Sequence, residues 1–215
     1  TEPEPYLNGR SLYWPRGKVL GGTSTINGMI YVRGNRHDYD RWSQLGLPGW
    51  SYDEVLPAFR RSEAHIQRKG EYHNAEGELT VCRARGENPL MDVFAQAGVE
   101  AGYPLNDDFN GATQEGFGRY DFTIRKGKRW STSWAFLRPA MERPNLTVVT
   151  GAETTRLILE QGRAVGVEYL RNGALSTARA GREIVLSAGV VNSPKALLLS
   201  GIGPADELGA VGVAP

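Results

Sequence analysis

Apolar residues recur at helical spacing just after Ser51. Positions 52, 55, 56 and 59 are apolar, which puts them on one face of a helix. Ser51 and Glu54 have the spacing of a capping box, so we expect this helix to begin here. Pro57 lies inside the pattern and removes one backbone hydrogen bond, which predicts a kink or a later start. The polar run that follows, residues 60–65, predicts a solvated surface.

A second apolar helical face follows Asn88 and Pro89, residue types that begin helices. Positions 90, 93, 94, 97 and 101 are apolar, and Gly102 predicts the end of the helix. We expect this face to pack against the rest of the protein. A further helix is predicted to begin at Ser193 and Pro194, and shorter helical stretches are predicted at residues 38–42 and 134–137.

The second half of the chain is rich in predicted strands. Three β-rich runs, residues 155–159, 164–170 and 175–180, are separated by Gln-Gly and Asn-Gly pairs, which are typical of hairpin turns. These runs predict an antiparallel meander. Further strands are predicted at residues 79–82, 119–124, 146–149 and 183–186, the last of them buried, and a hairpin is predicted across Asn8 and Gly9.

Composition excludes several classes of protein. With 215 residues the chain is long enough for one large or two small domains. Lys and Arg number 25 against 24 Asp and Glu, so no basic face is implied and nucleic acid is not expected as a partner. Cys82 is the only cysteine, which rules out an internal disulfide and favours a reducing compartment.

The sequence has no run of 18 apolar residues and no signal-peptide pattern. We therefore expect a soluble, cytoplasmic protein without a transmembrane segment, with at most peripheral membrane association. No motif has the spacing of a metal site, so no metal is expected. The three histidines, His37, His65 and His73, occur in polar runs and are predicted to lie on the surface.

Residues 15–40, PRGKVLGGTSTINGMIYVRGNRHDYD, hold the densest candidate chemistry. Gly21 and Gly22 have no Cβ, so their backbone can adopt positive φ and approach a ligand closely. Thr23, Ser24 and Thr25 are candidate caps of a helix whose N-terminus would bind an anion such as phosphate. The same letters also fit a turn and a capped helix without a ligand. A phosphate-binding P-loop is disfavoured because GGTST lacks the Lys-Ser/Thr ending.

Two stretches of this sequence resemble the signatures of a known family. GKVLGGTSTINGM, followed by YVRG and DYDRW, resembles the first signature of the glucose-methanol-choline (GMC) oxidoreductases, flavoenzymes that oxidise alcohols with FAD. Residues 187–203, SAGVVNSPKALLLSGIG, resemble the second. Within the family the match looks closest to the choline dehydrogenase group. The resemblance implies FAD as the cofactor, a small-molecule alcohol as the substrate, and hydride transfer from that alcohol to flavin N5.

The resemblance also implies a fold. The chain is expected to be α/β (α+β overall), with part of a Rossmann-like FAD-binding domain that includes the β-meander, and part of an antiparallel-sheet substrate domain. Residues 1–70 and 144–215 would belong to the FAD-binding domain, and residues 71–143 to the substrate domain.

The family motifs assign cofactor-binding residues by position. Gly21, Gly22, Thr23 and Ser24 would lie at the FAD diphosphate, Asn27, Gly28, Met29 and Ile30 along the flavin, Thr154 at the adenine through its backbone, and Ala188 and Gly189 at the second signature. Some members attach FAD covalently through a histidine. Ile26 occupies that position here, which implies non-covalent FAD.

The chain lacks G-x-G-x-x-G and has no histidine at a catalytic position of the family. We therefore expect a segment of a longer enzyme, with no catalytic residue of its own, and the remainder of the protein as a candidate partner chain. The alternative is a catalytically inactive FAD-binding or structural module.

Overall fold

The computed structural model describes residues 1–83, 86 and 88–214. They form two compact units, Thr1–Leu146 and Thr147–Pro215, each described by itself below. Both units contain helices and strands, which confirms the predicted α/β class. The three-segment division at residues 70 and 143 stays a prediction, and strands from the first two of those segments share one sheet in the first unit.

Two aromatic-rich helices pack together early in the first unit. Helix α1, Arg36–Gln44, begins after Asn35, whose side chain accepts a hydrogen bond from the His37 N–H at 2.9 Å. Helix α2, Tyr52–Ser62, begins with the predicted capping box and runs through Pro57. The ring of Tyr39 lies 5.7 Å from that of Phe59 in an edge-on contact, so the predicted apolar face of α2 does pack.

A four-stranded sheet forms the centre of the first unit. Its strands are β1, Ile30–Tyr31, β2, Glu63–His65, β3, Leu79–Arg83, and β4, Asp121–Phe122, in the order β1-β4-β3-β2. The β2–β3 pair is parallel and the other two pairs are antiparallel. A separate hairpin of β5, Ile124–Arg125, and β6, Lys128–Arg129, turns at Lys126 and Gly127, which both have positive φ.

The prediction of a solvated surface at residues 60–65 is wrong at its end. Residues 63–65 form β2, in which Glu63 and His65 are buried. The segment is buried because it pairs with β3 as a parallel strand, with Glu63 opposite Leu79. Near the start of the chain, Asn8 and Gly9 have the predicted positive φ, but Pro5–Leu7 is a short 3-10 helix and a single bridge, Glu4 to Arg10, replaces the hairpin.

Helix α3, Pro89–Glu100, has the predicted boundaries, with the Asn88 side chain accepting from the Leu90 N–H. The prediction that its apolar face packs is wrong for most of that face within the first unit, because Leu90, Val93 and Phe94 are about two-thirds exposed or more. The part that packs is one edge of the face, where the Phe94 ring lies 5.3 Å from the Phe117 ring and Gly98 lies against that same ring. Later in the chain, a π-helical turn, Ser133–Leu137, leads into α4, Arg138–Ala140.

The second unit is built on the predicted meander. Strands β7, Ala152–Glu160, β8, Arg163–Arg171, and β9, Ala174–Arg179, pair antiparallel in that order. Both turn pairs have positive φ at each residue, which confirms the hairpin turns. Helix α5, Gly189–Leu198, packs on β7 and begins earlier than predicted, so that Pro194 lies inside it. A short helix α6, Ala205–Ala210, follows.

The strands predicted at residues 146–149 and 183–186 are wrong. Neither stretch pairs with another strand in the described part of the second unit, and the side chain of Val185 is 78% exposed. Strand structure needs a neighbour that accepts and donates the backbone hydrogen bonds, and local β propensity does not supply one.

We predict that Gly98→Ala destabilises the protein. An added Cβ would lie 2.3 Å from the Phe117 ring, and overpacking of this kind costs about 1–3 kcal/mol, more than alanine regains as a helix former. Urea unfolding of both chains measures the difference. Gly209→Ala in α6 is the matched control, because its Cβ would meet no atom within 4 Å. Equal stability of Gly98→Ala and the parent chain would contradict the packing.

Candidate functional site

The glycine-rich loop, residues 17–30, turns sharply at Gly21 and Gly22. Their φ angles are 90° and 54°, so the predicted positive φ is confirmed at both. The helix predicted to follow is wrong, because Gly22–Thr25 forms only a four-residue 3-10 turn with no side-chain cap. The chain then passes directly into β1. An extended helix N-terminus that could bind phosphate is therefore not present in the loop.

The hydroxyl groups of this loop hold the loop itself together. Ser24 Oγ donates to the Gly21 carbonyl at 2.5 Å, and Thr25 Oγ1 donates to the Leu20 carbonyl at 3.0 Å. Thr23 Oγ1 accepts from the Gly17 N–H at 3.3 Å. The backbone passes itself closely here, since a Cβ on Gly17 would lie 2.3 Å from the Gly22 oxygen.

Hydrogen bonds from Arg129 and Thr132, about a hundred residues later in the chain, hold the loop in place. Thr132 donates its backbone N–H to Ser24 Oγ at 3.1 Å and its hydroxyl to the Gly21 carbonyl at 3.2 Å. Arg129 Nη1 donates to the Ser24 carbonyl at 3.2 Å and to Asn27 Oδ1 at 2.7 Å. Neither Arg129 nor Thr132 was identified from the sequence as a site residue. The only signal for Arg129 in the sequence is its place in the basic run KGKR at residues 126–129.

Residues Asn27 to Ile30 form the far end of the loop. Asn27 Oδ1 also accepts from the Met29 N–H at 3.0 Å, and Met29 has a φ of 64°, unusual for a residue other than glycine. The Met29 carbonyl accepts from the Thr123 N–H at 2.9 Å. Ile30 opens β1 with half of its side chain exposed.

One face of the loop is open. A Cβ built on Gly22 or on Gly28 meets no atom within 4 Å, and the nearby side chain of Ile26 is about half exposed. Bare backbone beside apolar side chains allows close approach of an extended, partly apolar ligand. Neither of the two cavities found in the first unit, of about 1080 and 410 Å³, is lined by a residue of 17–30. The predicted site therefore lies outside both of these cavities.

Three of the predicted site residues belong to the second unit. Ala188 precedes α5 and donates its backbone N–H to Ser193 Oγ at 3.0 Å. Gly189 has a φ of 91°, and a Cβ there would meet nothing within 4 Å. Thr154 lies in β7 opposite Tyr169, next to an irregularity in the strand register. The assignment of these residues, and of the loop residues, to a cofactor stays a prediction.

The surface prediction for the histidines is confirmed for His37 and wrong for His65 and His73, which are 1% and 5% exposed. His73 lies between two carboxylates, with Nδ1 at 2.6 Å from Glu63 Oε1 and Nε2 at 2.8 Å from Asp108 Oδ2. Glu63 also pairs with Arg33 and accepts from the Tyr31 hydroxyl. We call Arg33, Glu63, His73 and Asp108 the buried ion cluster.

Ionisation in the cluster follows from its contacts. Burial pulls the pKa of His73 down, but the hydrogen bonds to Asp108 and Glu63 outweigh it and raise the pKa to about 9. Burial acts upward on the pKa of Asp108, but His73 and the Asn110 N–H lower it to about 2. Burial, with Glu63 adding to it, raises the pKa of Tyr31 to about 12. At neutral pH His73 is charged and both of its N–H groups are engaged, so it cannot take a proton from a substrate.

His65 is held in a similar way. Its Nδ1 accepts from the backbone N–H groups of Gln67 and Arg68 at 3.2 and 3.1 Å, so the ring proton is on Nε2, 3.2 Å from Asp121 Oδ2. Both buried histidines therefore have structural partners. In the part of the chain that the structure describes, no cluster of three or more His, Cys, Asp or Glu residues could hold a metal ion. Across these same residues, no helix is both long and apolar enough to cross a membrane.

Comparison with known proteins defines the class. A family model described as GMC oxidoreductase matches residues 5–213, almost the whole chain. The chain therefore belongs to the GMC oxidoreductase family.

Individual relatives support the family assignment. The chain is 50% identical over 208 residues, 97% of its length, to the oxygen-dependent choline dehydrogenase of Brucella anthropi, of which it covers 38%. It is 48% identical over 213 residues, 99% of its length, to the mitochondrial choline dehydrogenase of Homo sapiens, of which it covers 36%. A solved FAD-dependent oxidoreductase from Chaetomium thermophilum superposes with a TM-score of 0.90 at 29% identity, covering 99% of this chain and 39% of that one. The chain thus spans less than two-fifths of the length of these relatives.

We predict that the buried ion cluster makes stability fall as pH rises. Folded His73 keeps its proton up to a pKa of about 9, whereas an unfolded histidine loses it near 6.5. The stabilisation is complete below pH 6.5 and is lost as pH rises through 9, a change of roughly 2–3 kcal/mol. Urea unfolding from pH 6 to 9.5 measures it.

The variant Asp108→Asn tests whether His73 causes this dependence of stability on pH. It removes one of the two carboxylates beside His73, so its unfolding free energy should vary less with pH over this range. His37→Gln, at an exposed histidine, is the control and should keep the slope of the parent chain. A parent chain with flat stability between pH 6.5 and 9 would show that His73 is not charged in the folded protein.

Proposed function

We propose that this chain is the FAD-contacting part of an oxidoreductase that acts on the CH–OH group of an alcohol, as in the choline dehydrogenases that it resembles. The observation that carries the proposal is the open face of the loop around Gly22 and Gly28, held in shape from behind by Arg129 and Thr132. A ligand can reach bare backbone there without displacing a side chain. The 50% identity to a choline dehydrogenase supports the substrate class.

In this proposal the loop provides two kinds of contact with FAD. Gly21, Gly22, Thr23 and Ser24 lie at the diphosphate, and Asn27, Gly28, Met29 and Ile30 lie along the flavin. The hydroxyl hydrogen of Ser24 is already donated to the Gly21 carbonyl, so Ser24 would serve the diphosphate through its backbone. Thr154, Ala188 and Gly189 are the proposed contacts in the second unit, and the open space at Gly189 is consistent with this role.

FAD, when bound, supplies the acceptor at flavin N5 for the hydride that leaves the alcohol carbon. The residues of this chain bind and orient the cofactor. A base is also needed for the hydroxyl proton, and neither buried histidine is available for that role. Both ring nitrogens of His73 are engaged by carboxylates, and Nδ1 of His65 already accepts from two backbone N–H groups. We propose that the base, and most of the pocket that selects the alcohol, lie in sequence beyond this chain.

The second candidate is a module that binds FAD or serves a structural purpose without redox activity. It is favoured by the exposed apolar residues of α3 and by residues 146–149 and 183–186, which have no strand partner within the described part of the chain. These are surfaces that another segment would cover. The remainder of the protein as a separate chain would be the natural partner. Alcohol oxidation by the isolated chain with FAD and an electron acceptor distinguishes the two, and we expect none. The single cysteine makes the cytoplasm the compartment to examine first.

We predict that Gly28→Val weakens FAD binding at least about tenfold without lowering stability. A side chain at Gly28 has room in the folded chain, so the fold should tolerate it, but it would occupy the space proposed for the flavin. Titration of FAD into each chain, followed by flavin fluorescence, gives the Kd. Gly181→Val is the matched control, since its Cβ also meets no atom within 4 Å and it lies outside the loop. Equal Kd values for Gly28→Val and the parent chain would show that the flavin does not bind at this face.

We also predict that the flavin is bound without a covalent bond. Ile26 has a hydrocarbon side chain, which offers no nucleophile to the cofactor. Acid precipitation of the FAD-loaded chain should release all yellow colour into the supernatant, and the mass of the precipitated chain should equal that of the polypeptide. Flavin that stays with the pellet would contradict this.

A further inference from the structure

We propose that Arg129 is a positioning residue that turns the side-chain amide of Asn27 so that its NH₂ group, and not its oxygen, faces the flavin. The inference rests on the proposed function, because it deepens the role of the Asn27 to Ile30 stretch. It concerns a residue on β6, outside the loop and outside both signature stretches.

The contacts decide which end of the amide points where. Arg129 Nη1 lies 2.7 Å from the inner atom of the amide, and the Met29 N–H lies 3.0 Å from it. Both neighbours can only donate a hydrogen bond, so the atom between them must be the oxygen. The amide nitrogen is on the other side, where it has no hydrogen-bond partner among the described residues, and Asn27 is exposed. The two N–H donors of the Asn27 amide are therefore free to bind a ligand at the surface of the loop.

Arg129 is well placed to hold this arrangement. It ends the β5–β6 hairpin, where it pairs with Ile124, and the following Trp130 N–H donates to the Thr123 carbonyl at 2.8 Å. Thr123 in turn donates its N–H to the Met29 carbonyl, so a backbone hydrogen bond joins the segment that flanks Arg129 to the loop. The backbone that carries the Arg129 guanidinium group is therefore held by hydrogen bonds.

The charge of Arg129 adds to the effect of its geometry. Among the described residues no carboxylate lies within ion-pair distance of it, so its charge is not neutralised by a salt bridge. A cation on the amide oxygen polarises the amide and strengthens its N–H donors. The N1 atom and the two carbonyl oxygens of the flavin ring are hydrogen-bond acceptors, and N1 with its neighbouring carbonyl gains negative charge when the flavin is reduced to its anion. Donors aimed at developing charge stabilise the reduced form.

The test compares four variants with the parent chain. Arg129→Met removes the donor and the charge, and Arg129→Lys keeps the charge. Asn27→Asp keeps an oxygen for Arg129 and for the Met29 N–H but replaces the NH₂ group with a second oxygen. Arg125→Met is the control, since Arg125 is on the same hairpin and stacks on Trp130, 4.6 Å from the ring centroid, without touching the loop.

The first readout needs no cofactor. In ¹⁵N NMR the side-chain NH₂ of Asn27 should be rigid in the parent chain and in Arg125→Met, and mobile in Arg129→Met. The second readout is on the FAD-loaded chains. Arg129→Met should weaken FAD binding about tenfold and lower the flavin reduction potential, with partial recovery in Arg129→Lys. Asn27→Asp should lower the potential as well, although its thermal stability stays at that of the parent chain.

The outcomes separate the two levels of the proposal. If the parent chain binds no FAD at the loop, the proposed function fails and the flavin part of this inference fails with it. If FAD binds but the Asn27 NH₂ is equally rigid in Arg129→Met, the positioning role is wrong. If Asn27→Asp keeps the potential of the parent chain, Arg129 holds only the shape of the loop, and the presentation of the NH₂ group is overturned.

Discussion

The buried carboxylate of Glu63 is the constraint on which the first unit depends. A carboxylate removed from water must be paired and hydrogen-bonded, and Glu63 meets this need with Arg33, His73 and the Tyr31 hydroxyl. These partners come from separate stretches of the chain. Burial of one charge in β2 therefore brings together β1, the segment before β3 and, through Asp108, the loop at residues 106–110.

The candidate cofactor loop depends on this cluster through β1. The loop runs directly into Ile30 and Tyr31, and Tyr31 is held by Glu63 through its hydroxyl and by the Asn110 side chain through its carbonyl. The other support is the segment from Thr123 to Thr132, which hydrogen-bonds to the back of the loop. With one end fixed by the cluster and its back fixed by the hairpin, the loop keeps an open face of bare backbone. The shape of the candidate site is thus set by residues that need not touch the cofactor.

The comparison with relatives and the structure both indicate that this chain is part of a longer protein. Membership of the GMC oxidoreductases is shown across almost the whole length, yet the chain spans less than two-fifths of its relatives. Correspondingly, most of the apolar face of α3 is exposed, and residues 146–149 and 183–186 have no strand partner among the residues that the structure describes. Both features are expected where a surface belongs to a larger sheet or core.

Features that depend on a few neighbouring residues were determined by the sequence alone. The capping box at Ser51, the end of α3 at Gly102 and the turns of the meander were predicted at their correct places, because caps and turns are governed by interactions within about four residues. The family motifs likewise identified the loop with its positive φ at Gly21 and Gly22. Only tertiary structure decided which polar residues are buried: Glu63 and His73 lie in polar runs, and their partners Arg33 and Asp108 are 30 and 35 residues away in the chain. It also decided that Arg129 holds Asn27, across 102 residues, because no local pattern states which distant donor will satisfy a side-chain oxygen.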